Sequence, residues 1–291
     1  MGISSLAYLK LEKPSETKPA TEMWTVQRAG QEFEVLRRGG TIKVRLDRPR
    51  RCNSLSSSMM KEVTELFKSL SVDDSVHRII LTGRGQYFCA GMDLNEDICA
   101  LSNERYMVLQ RLFSAIETSP KTTIAVINGP AFGGGIGLAF ACDLRIATSN
   151  SFFCLSEVKL GLCPATIARI LVREWGPAIA RMAMVTGRKI GPQLLCNIGV
   201  IHAVAPELES LEDELEKLLG ELNGAAPQAS AWCKLLVRKA HEMGDGAKSL
   251  SRDIFEAMLA EDSEASHGVE QFLAGAKHIC WEELVWPKIA K

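Results

Sequence analysis

Residues 129–143 read GPAFGGGIGLAFACD, with four glycines (Gly133, Gly134, Gly135, Gly137) at the mouth of an apolar run that otherwise reads as a buried helix. Glycine in a helix interior costs about 0.5–1 kcal/mol relative to alanine, so a cluster there calls for a physical reason. Access is one: without Cβ atoms, the N–H groups of a first helical turn can approach a ligand closely, and the helix dipole gives them positive character. Close packing of the helix against a sheet is another, and the residues alone leave both open. A dinucleotide-binding turn fits poorly, because GRGQYF has Phe88 where a third glycine belongs and GGGIGL is wrongly spaced.

Upstream, RIILTG (78–83) reads as a short buried strand stopped by Gly83, and YFCAGMDL (87–94) follows it with a turn at Ala90-Gly91. Two such backbone-rich elements facing one another would aim two N–H donors at one oxygen, which is an oxyanion hole. The rest of the chain supplies a frame. Ile42, Val44 and Leu46 alternate as a half-buried strand ended by Arg48-Pro49, and Met59, Met60, Val63, Leu66, Phe67 and Leu70 fall at helical spacing. Met107, Leu109, Leu112, Phe113 and Ile116 suggest another helix, and TTIAVING (122–129) another strand. Alternating strands and helices predict an α/β core. Beyond residue 205 the pattern is all helical: Leu208, Leu211, Leu215, Leu218 and Leu222, then a helix from Pro227, then Leu250, Ile254 and Met258. The expected organisation is a polar extension over 1–22, an α/β core over 23–205 and a C-terminal helical oligomerisation region over 206–291.

Composition excludes several classes. Thirty-four basic against 35 acidic residues, without a basic run interleaved with aromatics, argue against a nucleic-acid partner. Nine scattered cysteines without C-x-x-C spacing read as reduced cytosolic thiols, and five histidines show no metal-ligand spacing, so no metal is expected. No stretch has the apolar length of a membrane span, and neither a signal peptide nor an S-K-L ending is evident. The expected location is cytoplasmic, with a peroxisomal one lacking a C-terminal signal.

FCAGMDL, INGPAFGGGIGLAFACDLRIA and FCLSEVKLGLCPA, in this order and at these intervals, resemble the crotonase superfamily, the enoyl-CoA hydratase and isomerase family, as does the early LDRPRRCNSL. The resemblance implies a spiral of repeated ββα units with C-terminal helices that build a homotrimer, commonly paired into a hexamer. It also implies an acyl-CoA thioester substrate, CoA belonging to the substrate with no separate cofactor. The thioester oxygen would lie between two backbone N–H groups, mapped to Ala90 and Gly134. Arg51 and Cys52 map to CoA contacts, while Gly91, Met92, Asp93, Leu94, Phe132, Gly133, Gly137 and Cys163 map to the substrate site, with Asp93 expected to fix loop geometry. Ile98, Met107, Ile136 and Ile167 are further candidate walls of the acyl pocket.

Family hydratases use two glutamates, and this chain departs from them: the second is present as Glu157, whereas the first position holds Gly137. Three readings follow. Glu157 could hydrate an enoyl thioester alone or with help from Glu96, Asp97 or Glu104; it could shuttle a proton between C2 and C4 as an isomerase; or the chain could bind acyl-CoA without turnover. LSEVKLGLCPATIARILVREWG resembles methylglutaconyl-CoA-type and fungal siderophore-pathway hydratases, which favours hydration. Ala165, eight residues after Glu157, stands where dehalogenases and dienoyl isomerases carry an aspartate.

Overall fold

The computed structural model describes residues 23–30, 32–93, 103–160, 162–241, 263–276, 279 and 281. Two compact units are distinguished, Trp24–Leu218 and a second that combines Met1–Met23 with Leu219–Lys291. The first begins with an antiparallel meander of β1 (Thr25–Ala29), β2 (Phe33–Arg38) and β3 (Thr41–Leu46). It continues through α1 (Ser57–Ser71), β4 (Arg78–Gly83), α2 (Asn103–Thr118), β5 (Thr122–Ile127), β6 (Ala131–Phe132) and α3 (Gly134–Ala141). Then come β7 (Leu144–Thr148), β8 (Phe153–Cys154), α4 (Ala168–Thr186), β9 (Lys189–Ile190), α5 (Pro192–Asn197), β10 (Ala203–Ala205) and the start of α6 (Leu211–Asn223).

The main sheet has the order β1-β2-β3-β4-β5-β7-β10, parallel from β3 onward, and β6, β8 and β9 form a second, small sheet. Parallel neighbours need long crossovers, which α1 supplies between β3 and β4 and α2 between β4 and β5, the two helices packing against each other. Covered on both faces, β4 is buried at every position, which is why RIILTG reads as a continuous apolar run rather than an alternating one. Strand, strand and helix recur along the chain, the α/β, crotonase-like architecture expected from the sequence.

Local chemistry sets the element ends that matter. Ser56 caps α1, its hydroxyl oxygen accepting from the Met59 amide at 3.0 Å while its O–H donates to Glu32 at 2.6 Å. Met59, Met60, Val63, Phe67 and Leu70 are the buried face of that helix, at the spacing read from the sequence. Several elements are not legible in the sequence, β2 and α4 among them. β2 carries alternation too short to stand out, and α4 is interrupted by Gly176 (φ 72°, ψ 160°) before Pro177, which breaks its periodicity. Leu208 precedes α6 and is 50% exposed, so the leucine row starts at Leu211.

In the second unit, α7 (Pro227–His241) begins at a proline suited to the first turn, and α8 (Glu264–Leu273) supplies its cap. The Glu264 carboxylate accepts from the amides of Gln228 (2.9 and 2.8 Å) and Ala229 (3.0 Å). Burial raises that carboxyl's pKa, against the pull of the two amides. The extension over 1–22 and the pattern Leu250, Ile254, Met258 lie outside the described residues.

Candidate active site

The segment after β3 is wired to the segment after β4. Arg48 donates to the Ser54 carbonyl at 2.6 Å and forms ion pairs with Glu32 (3.0 Å) and buried Asp93 (2.9 Å). Asn53, buried with φ 55°, donates to the carbonyls of Arg84 (2.9 Å) and Tyr87 (2.7 Å) and accepts from the Arg48 amide at 2.9 Å. Asp93 therefore ties the end of this segment to Arg48, whose guanidinium is committed to that pairing.

These bonds decide which amides remain available, and they correct one assignment. Ala90 is not placed as an oxyanion donor, because its N–H bonds the Cys52 carbonyl at 2.9 Å. Leu55 and Met92 form a parallel bridge in which the Leu55 amide donates to the Gly91 carbonyl (2.7 Å) and the Asp93 amide to the Leu55 carbonyl (3.0 Å). In such a bridge the central residue's own N–H points away from the partner strand, and the Met92 amide meets no acceptor among the described residues. A second amide open to a ligand is that of Gly134, in the first turn of α3, where N–H groups lack intrahelical partners. The two are neighbours: a Cβ built on Gly91 (φ +83°) would lie 3.2 Å from the Gly134 nitrogen and 2.9 Å from the Phe132 carbonyl. The sequence signal for Met92 was the alternation of amide direction past a left-handed glycine, which the motif alone does not display.

Glu157 lies across this helix start, in a short 3-10 helix (Ser156–Leu160) that follows β8. Gly133 adopts φ +44°, and a Cβ there would come within 2.6 Å of Glu157 Oε1, so only glycine lets the carboxyl approach the α3 N-terminus. The other oxygen, Oε2, is buried without a hydrogen-bond partner among the described residues. Desolvation by burial raises the carboxyl's pKa, opposed only by its own backbone N–H. A carboxyl so placed exchanges protons closer to neutrality than an exposed one. Cys154, on the neighbouring strand, also has its thiol pushed up, first by burial and then by Glu157, against Lys159 and Lys189.

Gly137 turns out to be a packing residue. A Cβ on it would lie 2.5 Å from Ile167 Cγ2 and 2.6 Å from Phe113 Cζ, so the place where the resemblance puts an acid, one helical turn beyond Gly133, is filled with hydrocarbon. Gly134 on the same face lies under Leu109 and Leu55, each within 4 Å of its Cβ position. Leu109 and Phe113, four apart on α2, thus rest on Gly134 and Gly137, three apart on α3. Their helical spacing was legible, but not the element they cover. Gly135 is a third close approach, to the Cys89 carbonyl. Burial pushes the Cys89 thiol up to about 12, so it is an inert core group.

The remaining candidates are scattered around this centre. Arg51 is exposed and makes no ion pair among the described residues, while Cys52, left-handed at φ 51°, contributes its carbonyl to Ala90. Phe132 is half-buried, with its ring edge-on to Phe152 at 5.6 Å. Ile136 and Ile167 are buried, whereas Met107 and Cys163 are exposed. Glu104 is exposed beside Lys61, and Leu94, Glu96, Asp97 and Ile98 lie outside the described residues.

The enoyl-CoA hydratase/isomerase family matches residues 37–283. "Enoyl-CoA hydratase ACTT6" of Alternaria alternata is 56% identical over 259 residues, 89% of this chain and 87% of that one. "2,3-dehydroadipyl-CoA hydratase" of Escherichia coli is 28% identical, over 83% of this chain and 95% of that one. Among solved structures, an enoyl-CoA hydratase/isomerase from Marinobacter aquaeolei superposes with a TM-score of 0.81 at 28% identity, covering 87% of this chain and all (100%) of that one. Pseudomonas aeruginosa AtuE gives 0.79 at 29% identity, over 87% and 100% of the two chains. The chain belongs to the enoyl-CoA hydratase/isomerase family.

Proposed function

We propose that the protein is an enoyl-CoA hydratase that adds water to a 2-enoyl-CoA thioester, or removes it in reverse, with Glu157 as the sole acid/base. The observation that carries this reading is the buried, partly unpartnered carboxyl of Glu157 beside the N-terminus of α3. The thioester oxygen accepts from the Met92 and Gly134 amides. The Glu157 carboxylate takes a proton from water as the water oxygen bonds to C3. The C2=C3 electron pair moves toward the thioester as an enolate, whose oxygen the two amides stabilise. Glu157 then returns the proton to C2, so one water is added in full and the carboxylate is regenerated. Loss of one such amide donor costs roughly 100- to 1,000-fold in rate, which makes the pair the main source of acceleration.

Isomerisation is the second reading, favoured by the hydrocarbon around Gly137: one carboxyl suffices to move a proton from C4 to C2 of a 3-enoyl thioester. Exposed Arg51 is suited to a CoA phosphate. A homotrimer, paired or single, would use apolar surface such as Val172 and Val185 on α4, Leu194 on α5 and Ile198 at its C-cap. Light scattering reads that assembly.

The test is product analysis by mass spectrometry and NMR on 2-enoyl, 3-enoyl and 3-hydroxyacyl CoA thioesters. Gain or loss of one water supports hydration, a shifted double bond at constant mass supports isomerisation, and unchanged thioesters would reduce the protein to a binder. Glu157→Gln is expected to abolish turnover while acyl-CoA binding persists; unchanged turnover would overturn the assignment.

A further inference from the structure

Glu157 is held in an unusual way for a proton-transfer group. No side chain among the described residues hydrogen-bonds its carboxyl; Oε2 has no partner, and the only hydrogen bond that lowers its pKa comes from its own backbone. Its position is therefore inherited from the backbone that carries it. That backbone is fixed on the near side by β8, which pairs with β6 and β9. On the far side, residues 162–167 lead into α4 through short turns: the Leu162 amide donates to the Glu157 carbonyl (3.0 Å), Ala165 to Cys163 (2.9 Å) and Ile167 to Pro164 (3.1 Å). Leu162, Cys163 and Ala165 are exposed and only Pro164 among these four residues is buried, so packing holds this stretch at few points. Its side-chain anchors are at the end, where Ile167 is buried over Gly137 and the Thr166 carbonyl accepts from the Gln110 side-chain amide at 2.8 Å.

Gln110 sits on α2 between the two side chains that cover the glycine face of α3, Leu109 over Gly134 and Phe113 over Gly137. The same helix turn thus touches the element that carries an oxyanion donor and the connection that follows Glu157. Farther along, Glu117 of α2 pairs with Arg169 (2.7 Å) and Arg173 (2.6 Å) of α4, so α2 is itself tied to the helix into which that connection runs. A rigid helix that packs on one side of a site and hydrogen-bonds the other fixes their separation.

We infer that Gln110 is a positioning residue: through the Thr166 carbonyl it keeps the Glu157 segment in register with the Met92 and Gly134 amides. The inference rests on the reading of Glu157 as the acid/base. Misplacement of a reacting group by about 1 Å costs on the order of 100-fold in rate, so loss of the anchor is read in turnover more than in binding.

The test compares wild type with Gln110→Met, which keeps length and loses the donor, and with Gln110→Asn, whose amide is one methylene too short to reach. Each is measured for thermal unfolding, for kcat and KM on the enoyl thioester that wild type turns over, and for the pH profile of kcat/KM. The expected result is a kcat lowered roughly tenfold to 100-fold with KM within about twofold, in protein that still unfolds cooperatively. The acid-side limb, where Glu157 loses its basic form, moves to lower pH as water reaches the loosened carboxyl. A merely structural role would lower the unfolding temperature and leave that limb in place. Turnover within about twofold of wild type in both variants, or a fall in kcat with an unmoved limb, overturns the inference. Wild type that turns over no thioester overturns the reading of Glu157 instead, and the two failures are distinct.

Discussion

Gly137→Ala isolates the physical question that the glycine cluster poses. The added methyl would lie 2.5 Å from Ile167 Cγ2 and 2.6 Å from Phe113 Cζ, against an ordinary carbon contact of about 3.5–4 Å. Two buried side chains, from α2 and the start of α4, must each yield by about 1 Å. Overpacking of this kind costs typically about 1–3 kcal/mol, from which about 0.5–1 kcal/mol of helix propensity is regained. The net loss is about 1–2 kcal/mol, which lowers the melting temperature by about 2–8 °C for a domain of this size. Thermal unfolding of Gly137→Ala, Phe113→Leu and their double variant reads it, because removal of ring atoms should relieve the clash and make the double variant more stable than the sum of the singles. Gly220→Ala in α6 is the control: nothing lies within 4 Å of its Cβ position, so it should gain roughly 0.4–1 kcal/mol. Gly137→Ala as stable as wild type, or stabilised as Gly220→Ala is, would refute the packing account. A glutamate at 137 meets the same two atoms at its Cβ before its carboxyl is placed anywhere.

Glu157→Gln should also change stability with pH, and in a definite direction. The folded carboxyl's pKa lies above its usual 4.5, so between the two values the native state binds more protons than the unfolded one and stability falls as pH rises. The glutamine variant should thus be more stable than wild type at neutral pH and lose that advantage below about pH 4.5; unfolding curves at pH 4 and 7 that show equal differences would contradict it. Asp93→Ala removes one partner of a mostly buried pair with Arg48, and urea unfolding should register a loss of about 3 kcal/mol. In iodoacetamide labelling of the native protein, exposed Cys163 and Cys233 should react while buried Cys89, Cys142 and Cys154 stay protected; mass mapping of the labelled peptides decides.

What the sequence made legible follows the range of each interaction. α1 and β4 could be read because their burial is periodic or continuous within the element itself. α4 could not, since Gly176 and Pro177 break the period and its burial is set by α2 and β7 through residues such as Arg145, bonded to Glu174 at 2.9 Å. The same rule applies at the site. Glu157 and Gly134 are candidates because the motif fixes their positions, and the structure adds the unpartnered oxygen and the glycine that admits it. Met92 replaces Ala90 as the candidate donor on grounds the motif does not display, because amide direction depends on pairing with Leu55, 37 residues earlier in the chain, and on a positive φ at Gly91. Gly137 stands in the motif where an acid belongs, while its neighbours, Phe113 on α2 and Ile167 at the N-cap of α4, lie far off in the sequence. Phe113, Gln110 and Thr166 carry no local sign of their partners at all.

The four glycines that opened the question therefore answer to different constraints. Gly133 admits the Glu157 carboxyl, Gly134 presents an amide, and Gly135 and Gly137 accept a carbonyl and two hydrocarbon side chains at distances a Cβ would forbid. These constraints are linked through one helix of eight residues, α3, which is apolar and buried along its length. The hydrocarbon packed onto Gly137 removes room for a second acid there, and burial at Glu157 raises the proton affinity of the one carboxyl proposed to act. A carboxyl with an ordinary pKa is a poor proton donor near neutrality, so a single group asked to act as both base and acid works best when its pKa lies close to the working pH. Tight packing of α2 on α3 and one-carboxyl chemistry are, on this argument, two consequences of the same arrangement, and a change that loosens the first should weaken the second.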